Sequence, residues 1–253
     1  MTSPDRPGYP QIPRHLALLW DRPDPAPRRG PRPTLTIHEI GHAAVAIADG
    51  DGFDAVSMKA VASRLGVTTM SLYRYVDSKD DLLEVMVDDA YGPVTPLPET
   101  GPWRDRVTGW ALAVTAVLRR RAWLATMPMS RPPVGPNVLS WTNAGVFAFS
   151  DTALTGQQKM SALLLVDGFV RHHVRQASQM GLLDADDHVG LTYERLVAEF
   201  VDEARFPHLA EAITALGDDP DDDFFDTELA FGLDVILDGV HDLIESRRIE
   251  PKT

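Results

Sequence analysis

Apolar residues recur three or four positions apart from residue 35 onward, which is the spacing of one face of an α-helix. The first such run consists of Ile37, Ile40, Ala44 and Ile47. Thr36, followed three residues later by Glu39, has the capping-box pattern that starts a helix. The Asp-Gly-Asp-Gly turn at residues 49–52 ends it. The pattern therefore predicts one amphipathic helix between Thr36 and Asp49.

The helical spacing continues to the end of the chain. It predicts helices over 57–65, 68–75, 79–91, 103–127, 137–150, 156–180, 190–205 and 224–247. A Pro-rich break lies at residues 92–102. No segment alternates with period two, so we expect an all-α fold without a sheet.

Residues 1–33 have a different composition, with nine prolines and six arginines. This composition predicts a flexible arm, mostly without fixed structure. Its one short apolar run, within residues 14–20, could form a turn against a partner surface. The net charge of the arm is +3. Two interpretations stay open: a solvated tail, or a basic arm that touches DNA.

Composition excludes some kinds of site and bears on the kind of partner. The chain has no cysteine, which excludes disulfides, thiolate zinc sites and cysteine nucleophiles. Its net charge of −13 argues against a nucleic-acid partner. However, residues 81–253 carry 14 basic and 28 acidic side chains, whereas residues 1–80 carry 10 and 9. We expect neither a membrane span nor a signal peptide, and hence a cytoplasmic protein.

Residues 38–42 read His-Glu-Ile-Gly-His and match the H-E-x-x-H pattern. In zinc hydrolases this spacing lets two histidines bind the metal while the glutamate acts as general base. A third ligand is missing, because the extended pattern would need Gly and His where Val45 and Ala48 stand. Glu39 also has a structural use in the capping box. We therefore favour a structural helix and expect no metal, no cofactor and no enzyme.

Residues 58–76 carry the most informative pattern. A helix, a tight turn at Gly66 and a short second helix, with Val61, Leu65 and Leu72 facing inward, form a helix-turn-helix pattern. The second helix exposes hydroxyls, aromatic rings and Arg74, which suits a helix in the major groove of DNA. An ordinary helical hairpin is the alternative.

The same region resembles the DNA-binding domain of the tetracycline-repressor (TetR) family, of the actinobacterial type. The resemblance is carried by Leu65-Gly66-Val67, Ser71-Leu72-Tyr73 and Lys79-x-x-Leu82-Leu83, at the family's spacing. It extends from residue 35 to about residue 91. It implies a flexible arm at 1–33, a three-helix helix-turn-helix domain at 34–80 and a helical ligand-binding and dimerisation domain at 81–253.

The resemblance also implies site residues. Contacts with operator DNA fall on Thr36, Ser57, Lys59, Thr68, Thr69, Met70, Ser71, Tyr73, Arg74, Tyr75 and Lys79. The candidate dimer interface comprises Met160, Leu163, Val170, Val174, Phe225, Leu229, Gly232, Ile236, Gly239 and Leu243. Candidate ligand-binding residues are Trp110, Trp123, Met127, Trp141, Asn143, Phe147 and His172, with core filling as the alternative for each.

We therefore expect a ligand-responsive transcriptional regulator, and most simply a repressor. It would bind palindromic double-stranded DNA as a homodimer and be released by a small hydrophobic or amphiphilic effector. The alternatives are a zinc hydrolase using residues 38–42 and a helical small-molecule binding module without DNA function. Because residues 34–80 carry few cations, we expect a modest salt dependence of DNA binding, reduced further by deletion of residues 1–33.

Overall fold

The computed structural model describes residues 12–22, 35–97, 100–183, 197, 199–215 and 224–249. Every regular element among these residues is helical, so the all-α prediction is confirmed. The helices are α1 (Arg14–Leu19), α2 (Ile37–Asp51), α3 (Met58–Arg64), α4 (Thr69–Leu72), α5 (Lys79–Tyr91), α6 (Trp103–Arg120), α7 (Trp123–Thr126), α8 (Pro136–Phe147), α9 (Gly156–Gln179), α10 (Pro207–Ala215) and α11 (Phe224–Ile249). A 3-10 turn, Phe53–Ala55, lies between α2 and α3.

Local capping explains where the first helices begin. The Thr36 hydroxyl accepts the N–H of Glu39, and the Glu39 carboxylate accepts the N–H of Thr36, so the predicted capping box is confirmed. Ser57, Thr68 and Ser78 cap α3, α4 and α5 through the same kind of side-chain acceptor.

Three elements differ from the prediction. Helix α4 ends at Leu72 because the chain tightens there, with the N–H of Tyr75 bonding to the Leu72 carbonyl three residues back. The helix predicted over 103–127 is divided into α6 and α7, since Arg121 leaves helical geometry at φ −137° and ψ 69°. Helix α10 was not predicted. Half of the helix predicted over 190–205 lies outside the described residues, and residues 201–205, which are described, are not helical.

The chain forms two compact units. The first comprises Met1–Leu97 and Thr126–Phe147, and the second comprises Pro98–Ala125 and Ala148–Thr253. The division into these units does not follow the domain boundary predicted at residue 80. The reason is that α5 is buried along almost its whole length inside the first unit. The functional division at that boundary remains a prediction.

Helices α2 and α5 form the centre of the first unit. Ile40, Leu82 and Met86 are fully buried there. Gly41 permits the close approach of the two helices, because a Cβ at this position would lie 3.1 Å from side-chain atoms of both Val85 and Asp89. Burial of these apolar side chains supplies the main stabilisation of this unit.

The structure corrects the expectation of an arm without fixed structure for residues 12–22. These residues contain α1, in which His15 and Leu19 are buried. The Trp20 indole N–H donates to the carbonyl of Val134 at 2.9 Å. This short segment therefore docks on its own chain, whereas residues 1–11 and 23–34 lie outside the described residues.

Among the described residues, no helix combines the length and apolar character needed to cross a bilayer.

Candidate nucleic-acid interface

The turn between α3 and α4 fixes which side of α4 faces outward. Val61 of α3 and Leu72 of α4 are fully buried on the inner side of these two helices. Gly66 adopts φ +67°, a left-handed conformation that glycine adopts without a steric penalty. The helix-turn-helix predicted from the spacing is therefore present, with α4 in the position of the second helix.

The outward side of α4 and the turn after it presents three large side chains. Met70 is 72% exposed and Tyr73 is 45% exposed, and Arg74 is also exposed. Neither the Tyr73 hydroxyl nor the Arg74 guanidinium makes a hydrogen bond with the described part of the chain. A donor-rich cation, a phenol and a flexible apolar group thus remain available to a groove of DNA.

Several predicted contact residues instead fix the helix starts. Thr68 accepts the N–H of Ser71, and its hydroxyl oxygen lies 3.0 Å from that of Ser71. Thr36 and Ser57 serve as N-caps of α2 and α3. These side chains hold helix N-termini, whose amide groups and dipoles favour phosphate, at defined positions. Their part in DNA binding stays a prediction.

Three further predicted residues lie on the same part of the chain. Lys59 is exposed on α3, and Thr69 is half-buried at the start of α4. Lys79 is exposed at the first residue of α5, with its ammonium 6.0 Å from the centre of the Phe53 ring. This contact orients the Lys79 stem while its charge stays in water.

Tyr75 has a structural role that the sequence did not indicate. Its hydroxyl donates to the carbonyl of Leu35 at 2.7 Å and is partly buried. Since phosphate oxygens only accept hydrogen bonds, this donor is not free for a phosphate. The Tyr75 hydroxyl thus ties the end of the helix-turn-helix to the start of α2, and a contact of Tyr75 with DNA stays a prediction.

The His-Glu-Ile-Gly-His segment lies on an outer face of α2. The His42 side chain is exposed, with its Nδ1 3.6 Å from a carboxylate oxygen of Asp89. Glu39 is held in the capping box. No group of three or more metal-ligating side chains lies among the described residues. The capping-box hydrogen bonds of Glu39 support its structural role.

A carboxylate of α5 caps another helix of the first unit. Asp88 accepts the backbone N–H groups of Asn137 and Val138, at 2.9 and 3.1 Å. These amides belong to the first turn of α8, whose preceding residue, Gly135, has no side chain to supply a cap. Burial raises the pKa of Asp88 above its ordinary value, and the two amide bonds offset only part of this.

Two more carboxylates of α5 hold the segment before α8. The Arg131 guanidinium donates to Asp81 and to Glu84. Burial raises the pKa of Asp81, but the hydrogen bond from Arg131 and the field of His15 outweigh it, so the net shift is downward. The role of these acids was not predicted from the sequence. Their spacing of three and four positions, which puts Asp81, Glu84 and Asp88 on one face of α5, was the available signal.

Replacing Gly135 with Ala should lower the thermal midpoint, because the added Cβ would lie 2.2 Å from Oδ1 of Asp88. The carboxylate would have to move and leave two α8 amides without their acceptor. We expect a loss of about 2–4 kcal/mol, from overpacking and loss of the cap together. Differential scanning calorimetry measures it. The control is Gly50→Ala, where no atom lies within 4 Å of the added Cβ, and equal midpoints for both variants would contradict the cap.

Most residues of the predicted dimer interface are buried within one chain, and their part in a dimer stays a prediction. The structure buries Leu163, Val170, Val174, Phe225 and Leu229 within the second unit of the same chain. Gly232 also packs internally, since a Cβ there would lie 2.1 Å from the Phe169 ring. Ile236 is half-buried, and only Met160, Gly239 and Leu243 are exposed. The predicted set therefore consists mainly of residues that are buried within one subunit.

A different apolar face of these two helices is exposed. On α11 it contains Phe231 and Val235, which are 66% and 57% exposed, and on α9 it contains Leu164, which is 72% exposed. Gly168 and Gly239 are exposed beside them, with no heavy atom within 4 Å of an added Cβ. Large apolar side chains next to exposed glycines suit close packing against another helix.

The predicted ligand-binding residues are divided between the two units. Trp110 is buried in the second unit, while Trp141 is buried in the first, where its indole donates to the Gly92 carbonyl. Trp123 is half-buried, Met127 is buried, and Phe147 and His172 are exposed. Asn143 lines an open groove of about 430 Å³ in the first unit, together with Trp20, Val94, Pro136, Leu139, Ser140 and Ala144. Their role in ligand binding stays a prediction.

Two family models match the chain. The model described as "Bacterial regulatory proteins, tetR family" matches residues 40–86, and "Tetracyclin repressor-like, C-terminal domain" matches residues 95–244. The chain is 35% identical over 260 residues to the HTH-type transcriptional repressor DrrR1 of Streptomyces coeruleorubidus, covering 98% of this chain and 92% of that protein. It is 30% identical over 202 residues to an HTH-type transcriptional regulator of Saccharopolyspora erythraea, covering 79% and 84%.

A solved structure extends the similarity to the fold. The crystal structure of the Streptomyces coelicolor TetR family protein ActR in complex with (S)-DNPA superimposes with a TM-score of 0.68 at 25% identity. The alignment covers 83% of this chain and 98% of ActR. The similarity therefore includes both the helix-turn-helix and the helical region that follows it.

Proposed function

The chain belongs to the TetR family of bacterial regulatory proteins, and from this premise we propose that it is a ligand-responsive transcriptional repressor. It binds palindromic operator DNA as a homodimer in the cytoplasm, and a small hydrophobic or amphiphilic effector releases it. The observation that carries this proposal is the outward side of α4, where Met70, Tyr73 and Arg74 are exposed. The full-length similarity to the repressor DrrR1 supports it.

The DNA contacts divide into two kinds. Thr69, Met70 and Arg74, on α4 and just after it, reach base edges in the major groove. Lys59, Lys79 and the capped N-termini of α2 and α5 reach phosphates. Because the helix-turn-helix has few cations, shape and base contacts carry a large share of the recognition.

The dimer is formed by the exposed face of α9 and α11. Leu164, Phe231 and Val235 are its central side chains, and Gly168 and Gly239 allow the helices to approach closely. A two-fold interface brings the same patch of both subunits together, so each of these side chains becomes buried in both subunits. Two recognition helices are then presented to successive major grooves, about 34–36 Å apart.

The effector binds in the region matched by the C-terminal family model, residues 95–244. ActR, to which 83% of this chain aligns, is described in complex with (S)-DNPA. The aromatic residues of α6 and α7 suit an effector with an apolar body and a few polar groups. Effector binding lowers operator affinity by stabilising a conformation that binds DNA less well, a coupling of about 1–3 kcal/mol.

Gel-shift titration on DNA from upstream of its own gene tests this function. We expect a single retarded complex at low salt, competed by the same fragment and not by an unrelated one. We expect (S)-DNPA, used as the first probe, to weaken the complex 5- to 150-fold if it is accepted, as is typical of such couplings. A panel of amphiphilic aromatic compounds follows. Absence of binding to every palindrome in that region at low salt would contradict the proposed function.

A further inference from the structure

Helix α1 is fixed to the first unit by a buried histidine between two acids. His15 is 1% exposed, its Nε2 lies 2.9 Å from Oε2 of Glu84, and its Nδ1 lies 3.5 Å from Oδ1 of Asp81. A buried polar ring is costly unless its hydrogen bonds are made. The position of α1 is therefore specified by these two carboxylates of α5.

The same two carboxylates bind the segment that precedes α8. Arg131 Nε donates to Glu84 at 2.9 Å, and its guanidinium also donates to Asp81. Trp20, which follows α1, donates from its indole to the carbonyl of Val134 in this segment. One pair of acids thus holds α1 and the segment before α8 together.

Asp81 also reaches the end of the helix-turn-helix. Its Oδ2 accepts the N–H of Asp77 at 3.0 Å. Asp77 directly follows Val76, which is fully buried and closes the turn after α4. The carboxylate held by His15 and Arg131 on one oxygen therefore positions, with the other, the backbone that leaves the recognition helix.

Chain connectivity places this cluster on a covalent route between the two units. The segment Thr126–Phe147 belongs to the first unit, but it is joined to the second unit at Ala125 and at Ala148. The N-terminal helix is bound to the segment at Val134 and, through the shared acids, at Arg131.

We propose that α1 is an intramolecular clasp that keeps the recognition helix in its DNA-reading position. In this clasp His15 and Trp20 act as positioning residues, since they hold Asp81 and the segment before α8 in one arrangement without touching DNA. The clasp rests on the proposed function, because it assigns DNA reading to α4. It gives residues 12–22 a role distinct from that of a basic arm.

Hydrogen exchange tests the clasp without DNA. In His15→Ala of the full-length chain, we expect the Asp77 amide, which donates to Asp81, to exchange about tenfold faster, the effect of losing about one hydrogen bond. His15→Gln, whose amide can donate to Glu84, should restore most of the protection. Arg14→Ala, an exposed change on the same helix, is the control. Unchanged exchange at residues 76–82 in His15→Ala would overturn the clasp.

Operator binding gives the second readout. We expect His15→Ala to weaken binding to the upstream DNA about 3- to 10-fold, with partial recovery in His15→Gln and none of the loss in Arg14→Ala. If His15→Ala does not fold, Trp20→Phe tests the clasp instead. This variant removes only the hydrogen bond to Val134, and it should raise the exchange rate of the same Asp77 amide. Wild-type protein that binds no DNA would refute the proposed function, whereas variants that bind and exchange like wild type would refute the clasp alone.

Discussion

Val235→Asp is expected to convert the protein from dimer to monomer and to weaken operator binding by at least about 100-fold. Val235 is 57% exposed on the apolar face that we assign to α9 and α11. In a two-fold interface the substitution enters twice, so two carboxylates meet in a desolvated surface. Loss of the dimer also unlinks the two half-site contacts, and linkage of this kind contributes a factor of about 10²–10⁴ in affinity.

Analytical ultracentrifugation and gel-shift titration measure the two effects. The matched control is Leu209→Asp, which places the same charge on an exposed leucine of α10 in the same unit. We expect the control to remain dimeric and to bind DNA like wild type. A dimeric Val235→Asp protein would show that this face is not the interface, whereas a monomer with unchanged operator affinity would show that DNA reading does not require pairing.

The proposed dimer face illustrates what periodicity leaves open. Helix α11 carries two apolar stripes, one through Phe225 and Leu229 and another through Phe231 and Val235. Both have the spacing of a helical face, and the sequence alone does not tell which one meets α9 of the same chain. The structure decides the matter, because Gly232 lies against Phe169 and turns the first stripe inward. The outward stripe was therefore missed.

The helix-turn-helix was predictable because its determinants are local. The caps of α2, α3 and α4 lie within three residues of the amides they bind, and Gly66 sets the turn by itself. By contrast, α1 depends on contacts 69 residues apart in the chain, between His15 and Glu84. A Pro/Arg-rich composition predicts weak local structure, and it does not show that a distant pair of acids will order a short helix.

Arg74→Ala is expected to weaken specific operator binding by about 1–3 kcal/mol per half-site while leaving non-specific binding nearly unchanged. Arg74 is exposed at the end of the recognition helix, where its guanidinium makes no hydrogen bond with the described part of the chain. An arginine at this point can donate two hydrogen bonds to one guanine edge, and its loss removes sequence discrimination at that base pair. Binding to base-substituted operators therefore becomes more nearly equal.

Lys79→Ala should give the opposite pattern. Lys79 is the first residue of α5, and its ammonium lies near the Phe53 ring, where it suits a phosphate. Removing the ammonium should therefore weaken binding to all DNA sequences about equally and lower the salt slope of binding by about 1. Arg120→Ala, an exposed arginine at the end of α6 in the second unit, loses the same charge and serves as the control. Fluorescence anisotropy with operator, mutated operator and unrelated DNA at several salt concentrations separates the two roles.

If Arg74→Ala and Lys79→Ala both behave like Arg120→Ala, α4 is not the reading helix. If Arg74→Ala instead weakens all sequences equally, the arginine binds phosphate, and base recognition falls to Thr69 and Met70.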